Sequence, residues 1–288
     1  MEINSIINGD KLYSFIIGRL NSDGGYTFAK KLYSYEFPSS ISETYYALET
    51  LHQCNFEILN RDKTIEYLES NISLDSFNVT HVYFIIKSLE ILGKRINLID
   101  KISYLVTKKI FNTLEEIEDH RDLDYSTSYD TSESKFSTLY YAIKLRSFLN
   151  LKDEHQKIIF KRLNDVLSLK FKRNELDIVS FYHIISALFE LNPKFYIDNK
   201  MCEFILNAQV NTGGFSLTAF SMPAFIESTY MAIDLLKKFN KEVPNKRGHL
   251  EFISKLQNID GGFRRSSETG ISTLLNSYYA ILSIKLLI

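Results

Sequence analysis

The chain has 288 residues, 45% of them hydrophobic and only four of them proline, and its net charge is −1. That length and apolar content suit a folded, mostly helical protein and exclude a disordered one. The balanced charge excludes a whole-chain field drawing it to nucleic acid or an anionic membrane, and no apolar run approaches the roughly 18–20 residues of a membrane span.

The first segment, "MEINSIINGDKLYSFIIGRL", has no charged leader ahead of a long apolar stretch, so no signal peptide is expected. "LNSDGGYTF" follows, with a glycine pair and Tyr26. "SETYYALETL" then repeats apolar residues at three- and four-residue steps and reads as a helix anchored on Tyr45, with Glu43 in its first turn. "KTIEYLES" carries charge on one side and reads as a solvent-facing helix. "HVYFIIKSLEIL", anchored on Tyr83, opens with His81. "LIDKISYLVTKKIF" is another outer helix. Residues 118–136, "EDHRDLDYSTSYDTSESKF", form an irregular, acidic loop rich in Ser and Thr, and loops of that length are usually lids or disordered.

Seven more helices follow it, inner and outer in alternation. "FSTLYYAIKL" is anchored on Tyr140, and "EHQKIIFKRLNDVLSL" is its outer successor. "SFYHIISALFEL" is anchored on Tyr182 and contains His183. "NKMCEFILNAQ" runs into a second glycine pair, "NTGGFSL". "ESTYMAIDLL" carries Glu227 and Tyr230. "KRGHLEFISKLQN" precedes the third pair, "DGGFRR", and "NSYYAILSIKLL" ends the chain with Asn276 and Tyr278.

The anchors Tyr45, Tyr83, Tyr140, Tyr182, Tyr230 and Tyr278 stand 38, 57, 42, 48 and 48 residues apart, so one unit of outer helix, turn and inner helix recurs six times. The glycine pairs are expected to close the outer helices, where positive φ permits a sharp reversal, with Tyr26, Phe215 and Phe263 tucked beneath. The fold class that follows is all-α, one domain over residues 1–288. Cys54 and Cys202 are too few for a disulfide framework, so a reducing, cytoplasmic setting is expected. The 18 Tyr and 21 Phe, with no Trp, either fill a core or line a cavity with apolar rings and wet hydroxyls.

Q-x-x-DGGF followed by an aromatic-rich helix, at a spacing near 48 residues, resembles the repeat of protein prenyltransferase β subunits, squalene cyclases and related terpenoid cyclases. The resemblance covers the whole chain and implies an α/α toroid of six inner and six outer helices whose central cavity takes isoprenoid chains. It also implies where chemistry should sit. A prenyltransferase zinc site, built from an Asp-x-Cys pair and a His, aligns with Glu227, Thr229 and Asn276, so thiolate and imidazole are both replaced. The basic diphosphate-gripping positions fall on Ser221 and Ala224. The D-x-D-D acid of terpenoid cyclases has only Asp122-Leu123-Asp124-Tyr125 as a counterpart, and there is neither a DDxxD nor a GCGEQ string.

The sequence therefore supports a prenyltransferase- or cyclase-like protein holding an isoprenoid or similar apolar ligand, with no metal or cofactor expected and catalysis left open. Tyr45, Tyr46, Tyr141, Tyr182, Tyr230 and Tyr278 are the expected lining, with His81, His183 and Asn276 as polar contributors. Which tyrosine of each pair faces inward is undetermined by periodicity. The alternative is a non-catalytic toroid whose rim binds a protein partner. A weaker one is a barrel glycosidase using Glu43 and Glu227 as its carboxylates, against a helix-capping role for both. Arg264 and Arg265 are either solvated or a phosphate clamp.

Overall fold

A computed structural model describes residues 3–29, 37–72, 77–95, 99–118, 134–151, 155–268 and 270–288. The short string Asp122–Tyr125 and most of the acidic loop lie outside them. Among the described residues the chain is all-α, of the α/α toroid class, with twelve α-helices and no strand beyond isolated bridges. The inner helices are α2 (Ile41–Gln53), α4 (Val79–Ile91), α6 (Lys135–Phe148), α8 (Ile178–Leu191), α10 (Ile226–Lys238) and α12 (Leu274–Leu287). The outer ones are α1 (Gly9–Ile17), α3 (Arg61–Ser70), α5 (Ile99–Glu118), α7 (His155–Lys172), α9 (Asn199–Leu206) and α11 (Lys246–Lys255).

Local chemistry sets the ends of these helices. Ser40, Ser134, Asp177 and Thr273 cap α2, α6, α8 and α12, each side-chain oxygen accepting an amide of the first turn. The inner helices α2, α6 and α10 are closed by Asn55, Asn150 and Asn240 in the left-handed region, and α4 by Gly93. In each the next amide reaches back to close the turn, as Lys241 N does to Leu236 O. Inner and outer helices differ in how far burial extends round them. Along α8 nearly every side chain is buried, whereas α11 buries only His249, Phe252 and Ile253.

The chain forms two compact units: Met1–Ile72 with Phe84–Arg95 and Asn199–Ile288, and Ser73–Tyr83 with Ile96–Asp198. In the first, α10 packs on α12 and α12 on α2, so the last inner helix joins the first. In the second, α5 and α8 both pack on α6, with α7 against α5 and α8.

The glycine pairs are placed differently from the expectation. They do not close the outer helices, which end at Ile17, Leu206 and Lys255, several residues earlier. Each pair instead forms the tip of a small loop: Asn21 N donates to Gly25 O, Val210 N to Gly214 O and Asn258 N to Gly262 O. The tip rests on an outer helix of another repeat. A Cβ on Gly24 would lie 2.4 Å from the backbone of Lys63, on Gly213 2.1 Å from Gly248 O, and on Gly261 2.1 Å from Lys11 O. These first glycines have φ of +90°, +103° and +92°, so both conformation and contact exclude a side chain. The aromatics behave as expected: Tyr26, Phe215 and Phe263 are fully buried.

Candidate functional site

Below each glycine loop, the buried aromatic residue ties the loop to its own inner helix. Tyr26 N donates to Thr44 Oγ1 and Phe215 N to Thr229 Oγ1, both at 2.9 Å, and Phe263 N to Ser277 Oγ at 3.2 Å. Each hydroxyl in turn donates to the carbonyl four residues earlier in the chain. Sequence reasoning treated Thr229 as a lost cysteine and missed this role. The signal was available: the residue before the anchor is Thr44, Thr229 or Ser277 in the three repeats with glycine pairs, and Val82, Leu139 or Phe181 in the others.

Repeat five also lacks a polar set that repeats one and six share. In those two, Asp23 and Asp260 accept from Gly25 N and Gly262 N and from Ser39 and Ser272, which in turn accept from Asn21 and Asn258. Thr212, Ala224 and Val210 occupy those positions in repeat five. His249 takes over the amide: Gly214 N donates to its Nδ1 at 2.9 Å, and the imidazole stacks on Phe215 with centroids 4.9 Å apart.

Glu227, expected as a carboxylate of the site, is almost wholly buried in the first turn of α10 and pairs with Arg265. Desolvation raises its pKa and the guanidinium opposes that rise. Arg265 does more than neutralise it. Its carbonyl accepts from Ile226 N at 3.0 Å, supplying the cap that Phe225 cannot, and its guanidinium lies 4.3 Å from the Phe225 ring centroid. The choice between solvated and phosphate-clamping arginines is therefore corrected for Arg265, which is a structural tie between repeats five and six. Arg264 donates to Lys255 O. Glu43 lies half-buried in the first turn of α2, and Arg19, itself buried, is within electrostatic reach of it. The packing of α12 against both α2 and α10 interposes a helix between those that carry Glu43 and Glu227.

Four expected tyrosines come together in the first unit. Tyr45 and Tyr46 contact Tyr278 at 5.8 and 5.4 Å between centroids, and Tyr278 contacts Tyr230 at 6.5 Å. The hydroxyls of Tyr45 and Tyr278 are 3.5 Å apart. Phe84 stacks on Tyr45 at 4.3 Å, and Tyr279 on Tyr230 at 5.5 Å. These two were missed, although each follows its anchor directly, as Tyr46 does. Both members of the Tyr45–Tyr46 pair join the cluster, with Tyr45 and Tyr46 buried and Tyr230 and Tyr278 half-buried. Asn276 is buried one turn before Tyr279.

A separate cluster occupies the second unit. Tyr140 contacts Tyr141, Tyr182 and His183 at 5.1, 5.9 and 5.4 Å, and Tyr83 contacts Tyr141 at 5.3 Å. His183 is buried, and desolvation pushes its pKa down to about 3. His81 is exposed on α4. Two surface concavities lie away from the rings: one of about 430 Å³ around Asn8 and Gln257, and one of about 280 Å³ between α5 and α7.

The donor set aligned with the family zinc site does not fit zinc. Glu227 is held by Arg265, the Thr229 hydroxyl is held between two backbone groups, and Asn276 offers an amide in place of imidazole. Among the described residues, no three His, Cys, Asp or Glu side chains are grouped to hold a metal ion.

The two buried histidines make acid stability a direct test of this packing. Burial lowers the pKa of His249 to about 4 and of His183 to about 3, below the ordinary 6.5. The unfolded chain therefore binds more protons than the folded one from about pH 6.5 downward, and stability falls as pH falls. Between about pH 6.5 and 5 each histidine should withdraw about 2 kcal/mol. Urea unfolding across that window should show the loss, and His249→Asn should flatten the profile by its share. A parent profile level from pH 7 to 5 would refute the neutral, buried assignment.

The family model described as prenyltransferase alpha-alpha toroid domain matches the chain over residues 4–72, 69–168 and 150–288. No curated protein matches it. No helix among the described residues is long and apolar enough to cross a membrane.

Proposed function

From a chain that belongs to the prenyltransferase alpha-alpha toroid family, we propose a protein that holds an isoprenoid or similar apolar ligand against the aromatic rings of its inner helices. The observation that carries this reading is the continuous ring contact of Tyr45, Tyr46, Phe84, Tyr230 and Tyr278, in which Tyr230 and Tyr278 keep part of their surface open. Rings of this kind offer broad apolar area with hydroxyls at the edge. No zinc-activated thiolate enters the proposal, because the donors at Glu227, Thr229 and Asn276 are unsuited to the metal. Tyr141, Tyr182 and His183 are proposed as a second aromatic surface of the same character.

Affinity should come from apolar burial, at about 0.8 kcal/mol per buried methylene. Ser221 and Ala224 supply no charge for a diphosphate. A polyprenyl alcohol and its diphosphate should therefore bind with similar strength in titration calorimetry, and salt should change neither by much. Tyr230→Ala should weaken both equally, and Arg264→Ala should leave both unchanged. Strong preference for the diphosphate, abolished by salt, would overturn the apolar reading.

The second reading, a non-catalytic scaffold with a protein partner at its rim, is favoured by the burial of Tyr45 and Tyr46 against neighbouring rings. Absence of binding by either polyprenyl compound would leave it the better account. Glycoside hydrolysis by Glu43 and Glu227 would require Glu227 to leave Arg265.

A further inference from the structure

The stretch between Glu203 and Glu227 contains no Asp, Glu, Lys, Arg or His, in a chain where charged residues make up 24%. Its loop between α9 and α10 turns large apolar side chains outward. Phe220 is 87% exposed and Met222 72%. Phe220 is also held at φ +55°, a left-handed conformation that a bulky L-residue adopts only at a cost. Ile259 and Tyr196 are comparably exposed, at 92% and 80%, but each lies within two residues of a charged one, whereas Phe220 stands strained and in water inside a charge-free stretch.

The hydroxyls of the same loop bond within it. Phe220 N donates to Asn207 O at 2.9 Å, the Ser216 hydroxyl to Thr218 O at 2.7 Å, the Thr218 hydroxyl to Ser221 Oγ at 3.0 Å, and the Ser221 hydroxyl to Thr218 O at 2.9 Å. In the next repeat, Ile271 stands shortly before α12, as Met222 does before α10, and is 66% exposed. Because α10 packs on α12, both apolar tips stand at the starts of neighbouring helices.

We propose that the loop bearing Phe220 and Met222 inserts into the interfacial region of a lipid bilayer. Two features favour lipid over a protein partner. Taking a charged group into the acyl boundary is costly, and this loop contains none. Bare hydroxyls are costly there too, and those of Ser216, Thr218 and Ser221 bond within the loop. A protein rim would tolerate charge and commonly uses it for specificity. The surface is distinct from the ring cluster, and the proposal stands whether or not the cluster binds an isoprenoid.

The absence of tryptophan makes the test clean. Phe220→Trp places a single reporter on the loop. Tyr196→Trp places another at a site 80% exposed but flanked by Lys194, Asp198 and Lys200, and serves as the control. Both are mixed with zwitterionic phosphatidylcholine vesicles carrying brominated acyl chains. Emission from Phe220→Trp should move to shorter wavelength and be quenched, while Tyr196→Trp should do neither. Phe220→Asp with Met222→Asp, checked by its helical spectrum to be folded, should lower vesicle partitioning at least about tenfold. Absence of quenching at saturating lipid overturns the proposal. So does quenching that needs anionic lipid and disappears with salt, which would assign the attraction to charges elsewhere. A lipid-independent shift that grows with protein concentration overturns it in favour of a second copy of the chain.

Discussion

Arg265→Met should destabilise the protein by about 3–5 kcal/mol at neutral pH, because it strands the Glu227 carboxylate in the interior. Glu227 is 4% exposed, and its counter-charge comes from the glycine loop of the following repeat. Burial already pushes the Glu227 pKa up, with Arg265 as the largest opposing influence. Without the guanidinium the folded-state pKa should rise further above its unfolded value. The variant's deficit relative to the parent should therefore shrink as pH falls from 7 toward 5 and the carboxyl takes a proton, on top of the histidine-driven loss that both proteins share. Combining Arg265→Met with Glu227→Leu removes both charges and should recover most of the deficit, since a well-packed apolar pair often matches a buried ion pair. Denaturant unfolding of the two variants decides it. If Arg265→Met costs less than 1 kcal/mol, the pair is a solvated contact and Glu227 becomes available for chemistry.

Gly261→Ala should cost about 3 kcal/mol or more. Two penalties combine: an L-residue at φ +92° pays about 1–2 kcal/mol, and its Cβ would sit 2.1 Å from Lys11 O. Lys11 belongs to α1, so the substitution wedges the last glycine loop away from the first outer helix. Gly93→Ala separates the two contributions. Its φ is +68°, and the nearest neighbour to an added Cβ is the far end of the Arg61 side chain at 3.4 Å, so it should show the conformational penalty alone. Equal losses at Gly93 and Gly261 would mean that the loop is free to move off α1 and that the joint between the chain's ends is loose.

The sixfold helical repeat was legible from spacing alone, because an inner helix must show large apolar residues at helical intervals wherever it occurs, and six anchors repeat that requirement. The inner and outer roles followed from how far charge extends round each segment. Buried Tyr26, Phe215 and Phe263 were likewise readable as the aromatic after each glycine pair. Other assignments depended on residues far apart in sequence, and periodicity carries no information about those. The glycine pairs suggested helix ends, but the contact that demands glycine at 261 is with Lys11, 250 positions away. Thr229 looked like a ligand lost from a metal site, until the Phe215 amide was found against it. Glu227 and Arg265 each read plausibly as functional, and only packing between consecutive repeats brings the two charges together out of water. The same packing joined Tyr45, Tyr46, Phe84, Tyr230 and Tyr278 into one cluster. Local sequence determined that each segment would be a helix with one strongly apolar face. Tertiary structure decided which polar groups those faces would trap, because desolvation acts on the neighbours a side chain finally meets.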